Sequence, residues 1–265
     1  MPPKSIPLRP PPSAETIRTF QQRLLRWFRR HGRDLPWRKT RNPYHVLVSE
    51  VMLQQTQVSR VEQYYPGFLA RYPTLDRLAA ASPAEVRESW DGLGYYRRAA
   101  NLHRFAVTVV EDMKGEVPRS SEALRRLPGI GRYTAGAIAS FAFEQPEAAV
   151  DTNVSRVIRR AFFSPRAKPS ERRVWGLAAT LVPPRGKTAW AFNQAIMELG
   201  ALICTARVAR CGKCPVSGVC RGVIAASRRP PTPAVPAARS PSPPFSPAAA
   251  AGRNTRRALP SGRSG

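Results

Sequence analysis

The chain has 265 residues, of which 43 are lysine or arginine and only 17 are aspartate or glutamate, so its formal charge is +26. No apolar run approaches the ~18 residues that a membrane-spanning helix needs, and the first residues lack the apolar segment of a secretory signal. The charge therefore favours a polyanionic partner, most simply nucleic acid. A solubilising charge or binding to a membrane surface is the alternative, although the sequence has no basic amphipathic helix of the lipid-binding kind.

The elements that the sequence predicts are helices throughout. Residues 1–12 are rich in proline and are expected to be flexible, and Ser13 is placed to cap a first helix. Pro43 suits the first turn of a second helix, which the apolar pattern extends through VLVSEVMLQQTQV to residue 58. Further helical patterns lie near residues 61–71, 83–90, 96–113, 121–127, 133–143, 152–163, 170–182 and 188–203. Since no segment shows the alternation of a strand, the predicted fold class is all-α.

A carboxylate, Glu50, lies in the middle of the second predicted helix, between Val48 and Val51. It is either solvated on the outer face of the helix or turned into a pocket, and composition alone favours the solvated face. In a pocket, desolvation would raise the pKa of Glu50 and let it hold a proton near neutrality, as a general acid requires.

A tight turn is predicted within residues 127–136, whose sequence is LPGIGRYTAG. Pro128 ends the preceding helix, and Gly129 and Gly131 leave backbone N–H groups free to approach a phosphate at the start of the next helix. A GxG sequence between helices is often only a turn. The surrounding residues favour a helix–hairpin–helix motif, which binds the DNA backbone without reading bases.

A second carboxylate, Asp151, precedes a helix that is predicted to begin at Thr152. Its simplest role is that of an N-cap. The same N–H donors and the helix dipole are expected to lower the pKa of Asp151 and keep it ionised. A protonated glutamate paired with an ionised aspartate can break a glycosidic bond through an oxocarbenium-like state.

All four cysteines fall within seventeen residues, as Cys204, Cys211, Cys214 and Cys220. One CxxC pair with longer flanking arms favours an iron–sulfur cluster with one thiolate per iron, whereas zinc ribbons usually carry two CxxC pairs. Zinc, disulfides or chance remain alternatives. Because clustered thiols are typical of reducing compartments, we expect a location in the cytosol or on a bacterial nucleoid.

From residue 225 onward the chain consists almost entirely of proline, alanine, serine, arginine and glycine. Such a segment is predicted to be disordered, because it has too few apolar residues to form a core. It is either a flexible basic tail that adds non-specific DNA affinity or the product of out-of-frame reading of a G/C-rich gene.

Several motifs together resemble the helix–hairpin–helix DNA glycosylase superfamily, and within it the MutY-type adenine glycosylases. The resemblance covers roughly residues 20–220. It rests on LPWR (35–38), NPYHVLVSEVMLQQTQV (42–58), WDGLGYYRRAANLH (90–103), LPGIGRYTAGAI (127–138), VDTNVSRV (150–157), FNQAIMELGALIC (192–204) and the four cysteines. Tyr133 stands where the endonuclease III branch has its lysine nucleophile, so the resemblance implies no efficient lyase activity. Glu50 followed by Gln54 and Gln55 is similar to the adenine branch.

The resemblance implies a fold, a cofactor and a substrate. The fold has a six-helix-barrel-like lobe at about residues 43–150 and a second lobe made of residues 13–42 and 151–224. The second lobe includes a [4Fe-4S] loop at residues 204–220. The substrate is double-stranded DNA in which adenine faces 8-oxoguanine or guanine, and the protein is expected to act as a monomer.

The resemblance also implies roles for individual residues. Glu50 would protonate N7 of an extruded adenine, Asp151 would stabilise the sugar cation and Tyr133 would assist them. The residues implied in DNA binding form four groups. They are the adenine pocket, Arg33, Leu35, Trp37 and Gln194; the wedge, Gln55 and Tyr95, with Gln54 beside it; the hairpin, Gly129, Gly131 and Arg132; and the cysteine loop, Arg207 and Arg210. Core packing is the alternative for Trp37 and Tyr95, an exposed helical position for Gln194, a phosphate contact for Arg33 and a solvated loop for Arg207 and Arg210.

The sequence departs from the family beyond the cysteines. MutY-type enzymes usually continue into a domain of about a hundred residues that helps to inspect 8-oxoguanine, and here the Pro/Ala/Arg segment stands in its place. A thymine or uracil mismatch glycosylase of the same fold is an alternative function, as is an inactive DNA-binding module. Glu50 favours the adenine enzyme over the first of these, and Glu50 with Asp151 favours it over the second.

Overall fold

The computed structural model describes residues 12–227, and this part of the chain is built from α-helices. Their bounds are α1 Ala14–His31, α2 Pro43–Leu53, α3 Val58–Arg71, α4 Leu75–Ala79, α5 Pro83–Glu88, α6 Arg97–Met113, α7 Ser121–Leu124, α8 Arg132–Phe141, α9 Thr152–Phe162, α10 Glu171–Leu181, α11 Gly186–Leu202 and α12 Arg221–Ser227. Three short 3-10 helices lie at Pro36–Arg38, Cys211–Lys213 and Ser217–Val219. The described residues contain no β-strand, and one isolated bridge pairs Cys204 with Ala209. The predicted all-α class is confirmed.

The predicted starts of the first two helices are also confirmed. Ser13 caps α1, because its side chain accepts a hydrogen bond from the amide of Thr16 at 3.2 Å. Asn42 caps α2 by accepting from the amide of Tyr44 at 2.9 Å, and Pro43 occupies the first turn.

The predicted extension of the second helix to residue 58 is wrong. Helix α2 ends at Leu53, and α3 begins at Val58. Between them Gln54 has extended backbone (ψ 113°) and Gln55 has a φ of 57°. A left-handed residue cannot continue a right-handed helix, so the helix ends here although no glycine or proline marks its end in the sequence.

Helix α12 reaches Ser227, so the prediction of disorder is wrong for residues 225–227. The rest of that predicted segment, residues 228–265, and most of the predicted flexible N-terminal segment, residues 1–11, lie outside the described residues.

Two helices, α2 and α8, are buried on nearly all sides. Eight of the eleven residues of α2 are buried, as are all residues of α8 from Thr134 to Phe141. A helix that is apolar all round belongs inside a protein. These helices pack against each other in a first hydrophobic core that runs from Leu35 to Ala149 and includes residues of α3 to α6. Glu50 is one of the eight buried residues of α2, so its carboxyl group is held in the interior.

A second hydrophobic core is formed by α1, α9, α10 and α11, and it ends at Val216 beside the cysteines. Leu35 and Trp37 pack in the first core, although the lobe prediction grouped them with residues 13–42. In residues 12–227 no helix is long and apolar enough to cross a membrane.

Gly136 fixes the approach of α8 to the segment that leads to α9. A Cβ atom at this position would lie 2.3 Å from the backbone oxygen of Ala148. We expect Gly136→Ala to lower the free energy of unfolding by about 1–3 kcal/mol, because the backbone must shift to relieve the clash.

Gly176→Ala on α10 is the matched control, since a Cβ atom there meets nothing within 4 Å. It should be neutral or stabilising by up to about 1 kcal/mol. Urea unfolding measures both variants, and equal stability of the two would contradict the packing at Gly136.

Candidate active site

Glu50 is buried in the interior rather than solvated. Glu50 is 4% exposed. Among the described residues its side chain has one hydrogen-bond partner, the hydroxyl of Tyr133, which donates to Oε2 at 2.5 Å. The pKa of Glu50 is raised to about 7, chiefly by burial and also by the negative charge of Asp151, and this net rise includes the lowering by the Tyr133 hydrogen bond and by Arg38. Glu50 can therefore hold and release a proton near neutral pH.

Asp151 is the N-cap of α9, as predicted. Its Oδ1 accepts from the amide of Val154 at 2.7 Å, and its Oδ2 accepts from the side-chain amide of Asn153 at 2.8 Å. The predicted lowering of its pKa is wrong. Burial raises the pKa of Asp151, and this effect outweighs the lowering by Val154, Asn153 and Arg156.

Tyr133, on α8, interacts with both carboxyl groups. Burial and the negative charges of Glu50 and Asp151 raise the pKa of Tyr133 well above its usual value. The phenol therefore stays neutral and acts as a hydrogen-bond donor. The three side chains form one cluster of titratable groups at the meeting of α2, α8 and the start of α9.

The proton of this cluster belongs on Glu50. Asp151 accepts hydrogen bonds from a backbone amide and a side-chain amide, and both favour its ionised form. Glu50 accepts only from Tyr133 within the described part of the chain. Two neighbouring carboxyls in a buried site do not both ionise easily, so the less solvated Glu50 keeps the proton.

A charged network lies beside the cluster and centres on Glu198 of α11, whose side chain is 1% exposed. Arg33 donates from Nε and Nη2 to its two carboxylate oxygens at 2.7 and 3.0 Å, and Arg38 donates from Nη2 to Oε2 at 2.7 Å. The Arg38 Nε in turn donates to Oε1 of Gln194 at 2.8 Å. Burial opposes ionisation, but the two arginines lower the pKa of Glu198.

This network includes two predicted site residues, Arg33 and Gln194, and adds two residues that were not predicted. Arg33 binds a buried carboxylate while its own side chain is 35% exposed, so its role in the adenine pocket and its alternative as a phosphate contact both stay predictions. Gln194 is buried, so it is not an exposed helical glutamine. Glu198 and Arg38 were not among the predicted site residues. Glu198 follows Gln194 by four residues, which places both on one face of α11, and this spacing was the available signal.

Leu35 and Trp37 lie next to these arginines along the chain, and both are buried. The ring of Trp37 meets that of Tyr65 edge to face, with centroids 5.6 Å apart. Trp37 therefore has the burial of a core aromatic, which a residue in the wall of an interior pocket would also have, whereas Tyr95 is 62% exposed and is not a core aromatic.

The predicted wedge residues lie on two exposed loops. Gln55 is in the loop between α2 and α3, and Tyr95 is in the loop before α6. Both are non-glycine residues with positive φ, 57° and 50°. Gln54 points the other way, with its side-chain amide 3.5 Å from Oγ1 of the buried Thr134.

The predicted hairpin is a turn between α7 and α8. Gly129 has a φ of 74°, and a Cβ atom there would lie 2.6 Å from the Asn101 side chain, so glycine is required. Gly131 is the exposed N-cap of α8, and a Cβ atom there would have no neighbour within 4 Å. Amides at this helix start can therefore approach an anion. The Arg132 guanidinium lies 4.0 Å from the ring centroid of Trp175 on α10.

The four cysteines line one cavity of about 370 Å³, which lies between α9, the loop after α11 and the start of α12. All four thiols are free. Burial and the other three cysteines raise the pKa of Cys214 to about 11. Arg210 lies at the edge of the cavity and donates to the Leu202 carbonyl at 3.1 Å, and Arg207 is exposed.

The donor set of this cavity consists of four cysteine thiols. No group of three or more histidine, cysteine, aspartate or glutamate residues in the described part of the chain is close enough to hold one metal ion. Thiolates are the donors that both zinc and iron–sulfur clusters take from a protein, so the chemistry of the cavity lining fits a thiolate-bound metal centre.

Removing the charge of Glu198 tests the network. We expect Glu198→Gln to lower the free energy of unfolding by about 3–5 kcal/mol, because it leaves two arginines around a buried site without their counter-charge. Glu122→Gln is the matched control, since Glu122 forms an exposed ion pair with Arg126, and it should change stability by less than about 1 kcal/mol. Chemical denaturation of both variants is the measurement, and a small effect at Glu198 would contradict the network.

The comparisons with known proteins agree with this geometry. Residues 48–183 match the family described as HhH-GPD superfamily base excision DNA repair protein. An adenine DNA glycosylase of Homo sapiens is 47% identical over 217 residues, which are 77% of this chain and 39% of that protein. Its Mycolicibacterium smegmatis counterpart is 48% identical over 195 residues, 73% of this chain and 66% of that protein. The chain thus spans about two fifths of the human relative's length.

Two solved structures share the fold. A thermostable thymine-DNA glycosylase has a TM-score of 0.74 and 33% sequence identity, covering 80% of this chain and 98% of that one. Endonuclease III in a trapped covalent intermediate with DNA has a TM-score of 0.68 and 27% identity, covering 82% of this chain and 100% of that one. The predicted resemblance is confirmed, and the chain belongs to the HhH-GPD superfamily of base excision DNA repair proteins.

Proposed function

We propose that the protein is a DNA glycosylase that removes adenine opposite 8-oxoguanine or guanine. The observation that carries the proposal is Glu50, a buried carboxyl with a pKa of about 7 beside Asp151. The names of the relatives that match at 46–48% identity support adenine as the base.

In this proposal the Glu50 proton passes to N7 of an adenine that has left the duplex. The bond between C1′ and N9 then breaks, and its electron pair leaves with the base. Asp151 stabilises the positive charge that develops on the sugar, as an anion near an oxocarbenium ion does. A water oxygen then bonds to C1′, and the proton it loses passes to the carboxylate of Glu50, which returns to its protonated form. Tyr133 keeps Glu50 oriented by its hydrogen bond.

The residues around the cluster are proposed to recognise the base. Arg33 and Gln194, held by Glu198 and Arg38, would present polar groups to adenine, and Leu35 and Trp37 would form the apolar side of the pocket. Gln55 and Tyr95 would fill the gap that an extruded base leaves, since base flipping needs a replacement in the stack. The exposed ring of Tyr95 supports this role.

The hairpin is proposed to hold the phosphate backbone. The amides at the start of α8, together with the charge of Arg132, would contact phosphates, and Arg207 and Arg210 would do so from the cysteine loop. Such contacts position the duplex without reading its sequence.

Replacing Glu50 tests the catalytic assignment. Glu50→Gln should lower single-turnover adenine excision by at least about 100-fold, because a glutamine cannot donate the proton. Duplex binding, measured by fluorescence anisotropy, should stay within about threefold of wild type, since binding rests on phosphate contacts. Glu122→Gln should match wild type in both assays. Loss of binding equal to the loss of excision would make Glu50 a structural residue.

The pH dependence tests the same assignment through Tyr133. Excision should fall as pH rises through about 7, because the active form of Glu50 is protonated. The Tyr133 hydrogen bond lowers the pKa of Glu50, so Tyr133→Phe should move this descending limb to higher pH whatever it does to the maximal rate. A limb that stays in place or moves to lower pH would contradict the assignment.

The cysteine loop is proposed to bind a [4Fe-4S] cluster through Cys204, Cys211, Cys214 and Cys220. When bound, such a group supplies a rigid structural centre or a site of electron transfer. Protein purified without oxygen should contain about four iron and four sulfide per chain, and Cys214→Ala should lose both and unfold at a lower temperature. One zinc per chain without sulfide would contradict the proposal.

A thymine mismatch glycosylase is the second candidate, because the thymine enzyme shares this fold at 33% identity. Single-turnover assays on matched duplexes with A·8-oxoguanine, A·G and G·T pairs distinguish the two. Release of adenine alone supports the proposal, and release of thymine alone supports the second candidate.

A further inference from the structure

Arg98, near the start of α6, is a buried cation whose hydrogen bonds, in the described part of the chain, go only to neutral oxygens. The residue is 8% exposed, and burial lowers its pKa. Buried charges are usually paired with an opposite charge. The guanidinium instead donates to five carbonyl oxygens and one hydroxyl, those of Val51, Met52, Gln54, Leu93, Gly94 and Thr56.

The first two of these hydrogen bonds are to the C-terminal end of helix α2. Nη1 of Arg98 donates to the carbonyls of Val51 and Met52 at 2.9 and 2.7 Å. Both belong to the last turn of α2, where carbonyls lack partners within the helix and carry its partial negative charge. The cation therefore stabilises the helix end at Leu53 and the start of the loop that follows.

The second part joins two loops that are distant along the chain. Nη1 also donates to the carbonyl of Gln54 at 2.5 Å, and Nη2 donates to that of Gly94 at 3.1 Å. These carbonyls belong to the peptide groups directly before Gln55 and Tyr95, both of which are exposed and have left-handed backbone. Non-glycine residues keep that conformation only where their surroundings fix it.

We propose that Arg98 is a positioning residue that presents Gln55 and Tyr95 together as a preformed wedge for the duplex. A guanidinium is planar and rigid, so its two terminal nitrogens fix the orientation of both peptide groups relative to each other. A lysine ammonium keeps the charge but has no such fork. The inference rests on the proposed role of Gln55 and Tyr95 in base extrusion, and Arg98 itself touches neither the base nor the carboxyl cluster.

The test uses 2-aminopurine at the target position opposite guanine, because its fluorescence rises when the base leaves the stack. Wild-type protein at saturation should raise the fluorescence. Arg98→Lys should reduce that rise about tenfold, since a small misplacement of positioning groups has large effects. Fluorescence anisotropy should show that Arg98→Lys saturates the duplex at a protein concentration similar to that of the wild type. Arg97→Lys, the same change at the exposed neighbouring residue, should behave as wild type.

If folded Arg98→Lys protein raises the fluorescence as much as the wild type does, the inference is overturned. This readout is independent of base release. Wild-type protein that unstacks 2-aminopurine but releases no adenine from the matched A·G duplex would contradict the proposed function. The role of Arg98 would still be supported if the lysine variant fails to unstack 2-aminopurine.

A measurement on the wild-type protein covers the case in which Arg98→Lys does not fold. If the guanidinium holds both loops before DNA binds, the backbone amides of Gln55 and Tyr95 should be as rigid as those of the helices, with NMR order parameters of about 0.85. A value below about 0.6 at either residue would overturn the inference.

Discussion

The proposed chemistry depends on the desolvation of one carboxyl group. Glu50 lies on a helix that is buried on nearly all sides, and within residues 12–227 no cation stands at hydrogen-bond distance from it. Its pKa is therefore set by core packing. Helix α8 packs on α2 and brings Tyr133, and the start of α9 brings Asp151. The packing that forms the first core also creates a group that can donate a proton near neutrality, so stability and the proposed activity share one constraint.

The candidate site has buried groups and exposed groups, and they lie on different parts of the fold. Glu198 binds Arg33 and Arg38 and thereby joins the segment after α1 to α11. The groups suited to contact DNA lie instead on exposed ends of elements: the start of α8, the loops that carry Gln55 and Tyr95, and the cysteine loop. Buried groups would act on a base that has left the duplex, and exposed groups would hold the duplex from which it came. This division suits an enzyme whose target atom is inaccessible within stacked DNA.

Much of this could be predicted from local sequence. Features that depend on neighbouring residues are of this kind: the caps at Ser13 and Asp151, the glycine turn and the cysteine spacing. The structure has the caps and the turn. The end of α2 was missed because no glycine or proline marks it in residues 53–58, whereas the carbonyl of Gln54 accepts there from Arg98, more than forty residues away. The lowered pKa expected for Asp151 was wrong because capping is local and burial is a property of the whole fold. Glu198 was missed because its partners lie 160 and 165 residues away.

The account can be tested most directly by titrating Glu50 itself. Infrared difference spectra between wild-type protein and Glu50→Gln, recorded across the pH range in the absence of DNA, report the protonated carboxyl of this residue alone. The account predicts that this signal persists in weakly acidic solution and disappears with a midpoint of about 7. A midpoint near 4.5, the ordinary value for a glutamate, would mean that Glu50 is ionised at neutral pH and would contradict its role as the proton donor.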